Sequence, residues 1–124
     1  MAYSGYKDLK VFQQSYKLAM NIFEITKSFP KEEKYSLVNQ IGRSSRSVSV
    51  NIAEAWKKRQ YSKMFISKIV DAAGEAGETE VWLDISKDAG YLSMKEYENL
   101  ISVYDEINRM LYGMIEKSEK FTRK

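Results

Sequence analysis

The chain has 124 residues, enough for one domain around one core, and its hydrophobic and charged shares (44% and 30%) are ordinary for a globular protein. Net charge is only +3, so its distribution matters more than its sum. Cysteine and histidine are both absent, which excludes disulfides, thiolate nucleophiles, Ser-His-Asp triads, zinc hydrolase sites and Glu-x-x-His di-iron bundles. The expectation is a non-enzymatic protein without metal or cofactor. Met1 to Asp8 is polar and has no apolar h-region, so no signal peptide is expected. No apolar run approaches the ~18 residues of a membrane span, so the protein is expected in the cytoplasm with no membrane partner.

Four helices and no strands are predicted in chain order, forming an all-α, antiparallel up-down-up-down bundle over residues 1–124. The first runs from about Lys7 to Ser28, with Val11, Gln14/Ser15, Leu18, Ile22, Ile25 and Phe29 recurring every three or four residues. Pro30 stops it, because a residue before proline is pushed out of the α region. The second starts near Lys31 or Glu32 and continues to about Lys58 on a stripe of Val38, Ile41, Ser45, Val48, Ile52 and Ala55. Ser44, Ser45, Ser47 and Ser49 lower its helix propensity, so it needs tertiary support.

The third helix is expected from about Ser62, as N-cap, to Ala89, with Gly90 as the C′ residue. Its seam of Phe65, Ile69, Ala72, Ala76, Thr79 and Leu83 has heptad-like spacing. The fourth runs from about Ser93 to Ser118; Ser93 followed by Glu96 is a capping box. Tyr97, Leu100, Tyr104, Ile107, Leu111 and Met114 form its stripe, and the tail Glu119–Lys124 is expected to fray.

Two faces exceed what a bundle core requires. Beside its seam, the third helix carries a second stripe of Ile66, Val70, Ala73, Gly77 and Val81, and together the two span roughly 200° of the helical wheel. Either this helix is central in a monomer, or the stripe is a self-association surface; the second reading accounts better for so wide a face. On the second helix, Arg43, Arg46, Val50, Glu54 and Lys57 fall within about 80° of one another, opposite the core stripe. Lys58, Arg59 and Lys63 extend the positive charge, with Trp56 and Tyr61 interleaved. This is either a solvated face or a polyanion-binding patch, for which arginine forks and stacking aromatics are suited. Asp71, Glu75 and Glu78 share a face of the third helix, where solvation or inter-subunit salt bridges to the basic helix suit them better than a catalytic or metal-binding role.

The stretch from Phe29 to Leu37, then Gln40-Ile41-Gly42-Arg43 and Ser47-Val48-Ser49-Val50-Asn51-Ile52-Ala53-Glu54, resembles a bacterial four-helix-bundle family, the large-subunit ribosomal RNA intervening-sequence proteins. Tyr6 to Phe12 resembles the family's start, and Gly74, Glu78, Glu80 and Gly90-Tyr91-Leu92 match its third helix and following turn. The chain departs from the pattern at Gly42, Ser49 and Ala55, where the family usually has arginine, proline and glycine. The resemblance implies a homo-oligomeric ring, a pentamer, with a nucleic-acid-linked role. A related bundle serves diversity-generating retroelements as a basic accessory pentamer that engages a reverse transcriptase and nucleic acid.

The expected function is therefore nucleic-acid binding, RNA rather than DNA, through Arg43, Arg46, Lys57, Lys58, Arg59 and Lys63. Asn51, Glu54, Glu78 and Glu80 are the family-motif or interface positions, and Ile66, Val70, Ala73, Gly77 and Val81 the oligomer interface. The alternative is an adaptor whose basic face meets an acidic protein encoded nearby.

Overall fold

A computed structural model describes residues 3–122. It contains α1 (Lys10–Thr26), α2 (Leu37–Lys57), α3 (Ser62–Asp88) and α4 (Met94–Glu116), with 3-10 turns at Tyr6–Asp8, Lys31–Glu33 and Ser118–Lys120, and no strand among the described residues. Short connections make successive helices antiparallel. Packing is most extensive between α2 and α3, and α1 meets α4 to close the four-helix bundle.

The α3 seam is the centre of the core. Phe65, Ile69, Ala72, Ala76 and Thr79 are fully inaccessible, as are Ile41, Val48 and Ile52 of α2 and Ile107 and Leu111 of α4. Each such aliphatic side chain contributes ~1.5–3 kcal/mol through burial. The serines of α2 find the tertiary support their low propensity demands. Ser44 accepts from Thr79 on α3 at 2.7 Å, and Ser49 pairs with Ser15 on α1 at 3.0 Å. Thus the small polar side chains that weaken α2 on its own tie it to both neighbours.

Capping chemistry ends α3 and starts α4. Gly90 has φ +84°, its N–H donates to Lys87, and the Tyr91 N–H donates back to Ser86, a Schellman motif. The Ser93 hydroxyl accepts from the Glu96 N–H while the Glu96 carboxylate accepts from the Ser93 N–H.

Four expected boundaries shift. α1 begins at Lys10 rather than Lys7, because the Asp8 carboxylate accepts from the Ser4 N–H at 2.7 Å and the buried Leu9 is extended. α2 begins at Leu37, because the 3-10 turn after Pro30 is held elsewhere: Glu33 accepts from the Ser36 hydroxyl and from Tyr91 in the α3–α4 connection, both at 2.8 Å. Ser62 is the first residue of α3 and not its N-cap; Tyr61 occupies that position and makes no side-chain cap bond. The tail does not fray at Glu119. The last 3-10 turn places Phe121 against Phe65 and Tyr3, with ring centroids 6.0 and 6.1 Å apart. The rest of the tail, Arg123 and Lys124, lies outside the described residues, as do Met1 and Ala2.

Candidate nucleic-acid interface

An up-down bundle brings the starts of α1 and α3 to the same end as the finishes of α2 and α4. At this end, residues 3–10, 57–63 and 116–122 carry eight Lys/Arg side chains against three carboxylates. Residues 24–34 and 84–98, at the opposite end, carry five against seven. Lys57, Lys58, Arg59 and Lys63 therefore do not stand alone. Lys7, Lys10, Lys117 and Lys120 join them, and these four are missing from a reading confined to the second helix and its turn. Summing charge over helix ends, once the topology is assigned, identifies them.

Aromatic rings are set among these cations. The Arg59 guanidinium lies 4.0 Å from the centroid of Trp56, and donates to the Trp56 carbonyl at 2.9 Å. The Lys57 ammonium is 6.0 Å from the Tyr6 ring. Tyr3 meets Trp56 edge-on at 5.8 Å and lies nearly parallel to Phe121. Tyr61 and Lys63 are exposed at the start of α3.

The two arginines of the α2 stripe part company. Arg46 is exposed and leans over Phe23 of α1 at 5.9 Å. Arg43 reaches the other way and is shared by Glu78 and Glu75 (3.3 Å) of α3. The Arg43 hydrogen bond holds the Glu78 carboxyl below its ordinary range, helped by the Trp82 indole N–H at 3.1 Å, and the arginine is raised in return. Arg43 is thus a bridge between helices, with its charge matched inside the subunit, and does not join the cations of the basic end. The wheel reads the face of one helix and cannot show what the neighbouring helix sets opposite it.

The four family-motif positions also link helices. Asn51 donates to the Ser47 carbonyl at 2.8 Å and accepts from Lys68 of α3 at 3.4 Å, and the same ammonium lies 3.1 Å from Glu54 and 3.8 Å from Asp71. Glu78 holds Arg43, and Glu80 accepts from Asn108 of α4 at 2.9 Å. So the acidic face of α3 is neutralised in large part by α2 and by its own Lys68.

The second α3 stripe divides. Ile66 and Ala73 are half-buried against the core, whereas Val70 and Val81 are 50% and 55% exposed, and Gly77 is exposed. Gly74 and Ile85 extend this outward face. A Cβ added at Gly74 or Gly77 would meet nothing within 4 Å, so packing inside the subunit does not require either glycine. α1 has its own outward apolar face of Tyr16, Met20 and Phe23, all more than 40% exposed, at spacings of four and three that sequence reading passed over. No helix among the described residues is long and apolar enough to cross a membrane.

Fold and surface together define an all-α bundle with one cationic end and two outward apolar faces. The chain belongs to the 23S rRNA-intervening sequence protein family, which it matches over residues 7–113. It is also similar to a crystal structure of a protein of unknown function from the S23 ribosomal protein family of Bacteroides thetaiotaomicron. The two are 33% identical, the match covers 86% of this chain and 99% of that one, and the TM-score is 0.78. No curated protein matches the chain.

Proposed function

We propose that the chain is a non-enzymatic, RNA-binding accessory protein that works in the cytoplasm as a homo-oligomeric ring, a pentamer on the family resemblance. The observation that carries the binding reading is the gathering of eight cations against three carboxylates at one end of the bundle. A family named for sequences that interrupt 23S rRNA favours RNA over DNA as the polyanion. The contacts are assigned to Lys57, Lys58, Arg59 and Lys63; Arg46, over Phe23 in the middle of α2, stands apart from this end.

Assembly is supported by the placement of the apolar faces. α1 and α3 lie diagonally across the bundle, so Tyr16-Met20-Phe23 and Val70-Gly77-Val81 look in opposite directions. Two unlike faces on opposite sides suit head-to-tail contacts, which close into a ring when the rotation permits. Repeating the cationic end in every subunit multiplies a modest local charge through avidity.

Binding should be weakly sequence-specific and should fall steeply with salt, because each neutralised phosphate releases counterions. Changing Lys57, Lys58 and Arg59 together to alanine should weaken binding to all sequences about equally and flatten the salt slope by up to roughly three phosphate contacts. Fluorescence anisotropy with random-sequence RNA across a salt series measures both. An affinity weaker than ~10⁻⁴ M at physiological salt would favour the adaptor reading, in which the same end meets an acidic protein encoded nearby.

A further inference from the structure

Where the start of α1 and the end of α4 part, a cleft of about 300 Å³ opens at the cationic end. That volume is at the lower edge of the range that small ligands fill. Leu9, Val11, Met110 and Met114 give it apolar walls, and Tyr3 and Phe121 close one side. Lys10, Lys117 and Lys120 also line it, and no carboxylate does. None of these three lysines makes an ion pair among the described residues.

Gly113 lines the same cleft from within α4. Glycine is the least favourable helix residue after proline. Nothing in the subunit accounts for it here: its φ is not positive, and an added Cβ would meet nothing within 4 Å. Its bare backbone forms part of the cleft wall, where any larger side chain would take up space in the cleft.

Inorganic phosphate would leave the apolar walls unfilled, and a neutral apolar molecule would leave three cations unanswered. A fatty acid offers one anion to three lysines. An aromatic base that carries its own phosphates answers both parts of the cleft. We propose that this cleft takes one unstacked nucleotide, its base against Tyr3 and Phe121 and its flanking phosphates on Lys10, Lys117 and Lys120. This deepens the RNA-binding reading and rests on it.

The test compares an intact single-stranded RNA with the same strand made abasic throughout, using the full-length protein and Gly113→Leu, whose side chain occupies the cleft. The parent should bind the intact strand about tenfold more tightly than the abasic one, as base stacking on aromatic side chains does elsewhere. Gly113→Leu should lose that preference, with a salt slope flattened by up to roughly three phosphate contacts and an intact helical circular-dichroism spectrum. In a second measurement that needs no variant, a strand carrying one 5-iodouridine should photocross-link to Tyr3 or Phe121. Equal parental affinity for both strands, a base preference that survives in Gly113→Leu, or cross-links confined to other residues would overturn the proposal. Steep salt-dependent binding without base preference would sink the cleft and leave the RNA reading standing. Binding of a nucleoside monophosphate that Gly113→Leu abolishes, with no RNA binding, would do the reverse.

Discussion

Arg43 shows how one side chain can satisfy a charge pattern and yet serve packing. Its guanidinium spans from α2 to Glu75 and Glu78, one turn apart on α3, while Trp82 steadies the Glu78 carboxylate from its own helix. With roughly half of the guanidinium side chain exposed, the coupling is expected below ~1 kcal/mol. Its sign follows from the direction of the shift. The Glu78 carboxyl is lowered in the folded chain, so the pair contributes stability above the ordinary glutamate value of 4.5 and loses it as pH falls through the lowered value. Glu78→Gln should therefore be less stable than the parent at neutral pH, and the gap should close on acidification. Urea titrations at a series of acidic pH values measure this, and a gap independent of pH would show that the pair is not coupled to folding. The arginine was legible as a charge on an outward face, and Glu75 and Glu78 as acids suited to a basic helix; that they meet Arg43 within the subunit was not, because they lie 32 and 35 residues further along the chain on a different helix.

At the scale of elements, most features read correctly are written in local chemistry. The α3 seam, the Gly90 stop and the Ser93–Glu96 capping box depend on spacing or on residues within one turn, and all are present. Two of the misread boundaries depend on distant partners, Glu33 with Tyr91 across the α3–α4 connection and Phe121 with Phe65 across the basic end; the other two, at Lys10 and Ser62, turn on neighbours within four residues. The cationic end was half legible, since its Lys57–Lys63 part is contiguous and its remainder comes from the two chain ends. Gly90 provides the test of the local reading. Its φ of +84° lies where a Cβ is strained, and nothing else crowds it. Gly90→Ala should destabilise the fold by ~1–2 kcal/mol, seen as a lower Tm with little change in helix content. An unchanged Tm would mean that the α3–α4 turn relaxes without cost.

For the whole molecule, the outward α3 face is the feature with most leverage. Val70 is half exposed and stands on the side away from the seam, so Val70→Glu should leave the bundle folded and break self-association. Sedimentation velocity at micromolar concentration, beside circular dichroism, reads the two effects separately; a parent protein that sediments as a monomer would remove the ring from the proposal. The charge split has a consequence at this scale. Cyclic symmetry carries each subunit round one axis without turning it over. Bundles with net charge +5 at one end and −2 at the other, standing out of the ring plane, would make a disc with two unlike rims. Such a disc settles on a polyanion one way up, and Glu32, Glu96 and Glu98 then face away from it. The assembly would have a sense of direction, with the nucleic acid on one side and a free acidic rim on the other to receive a second molecule.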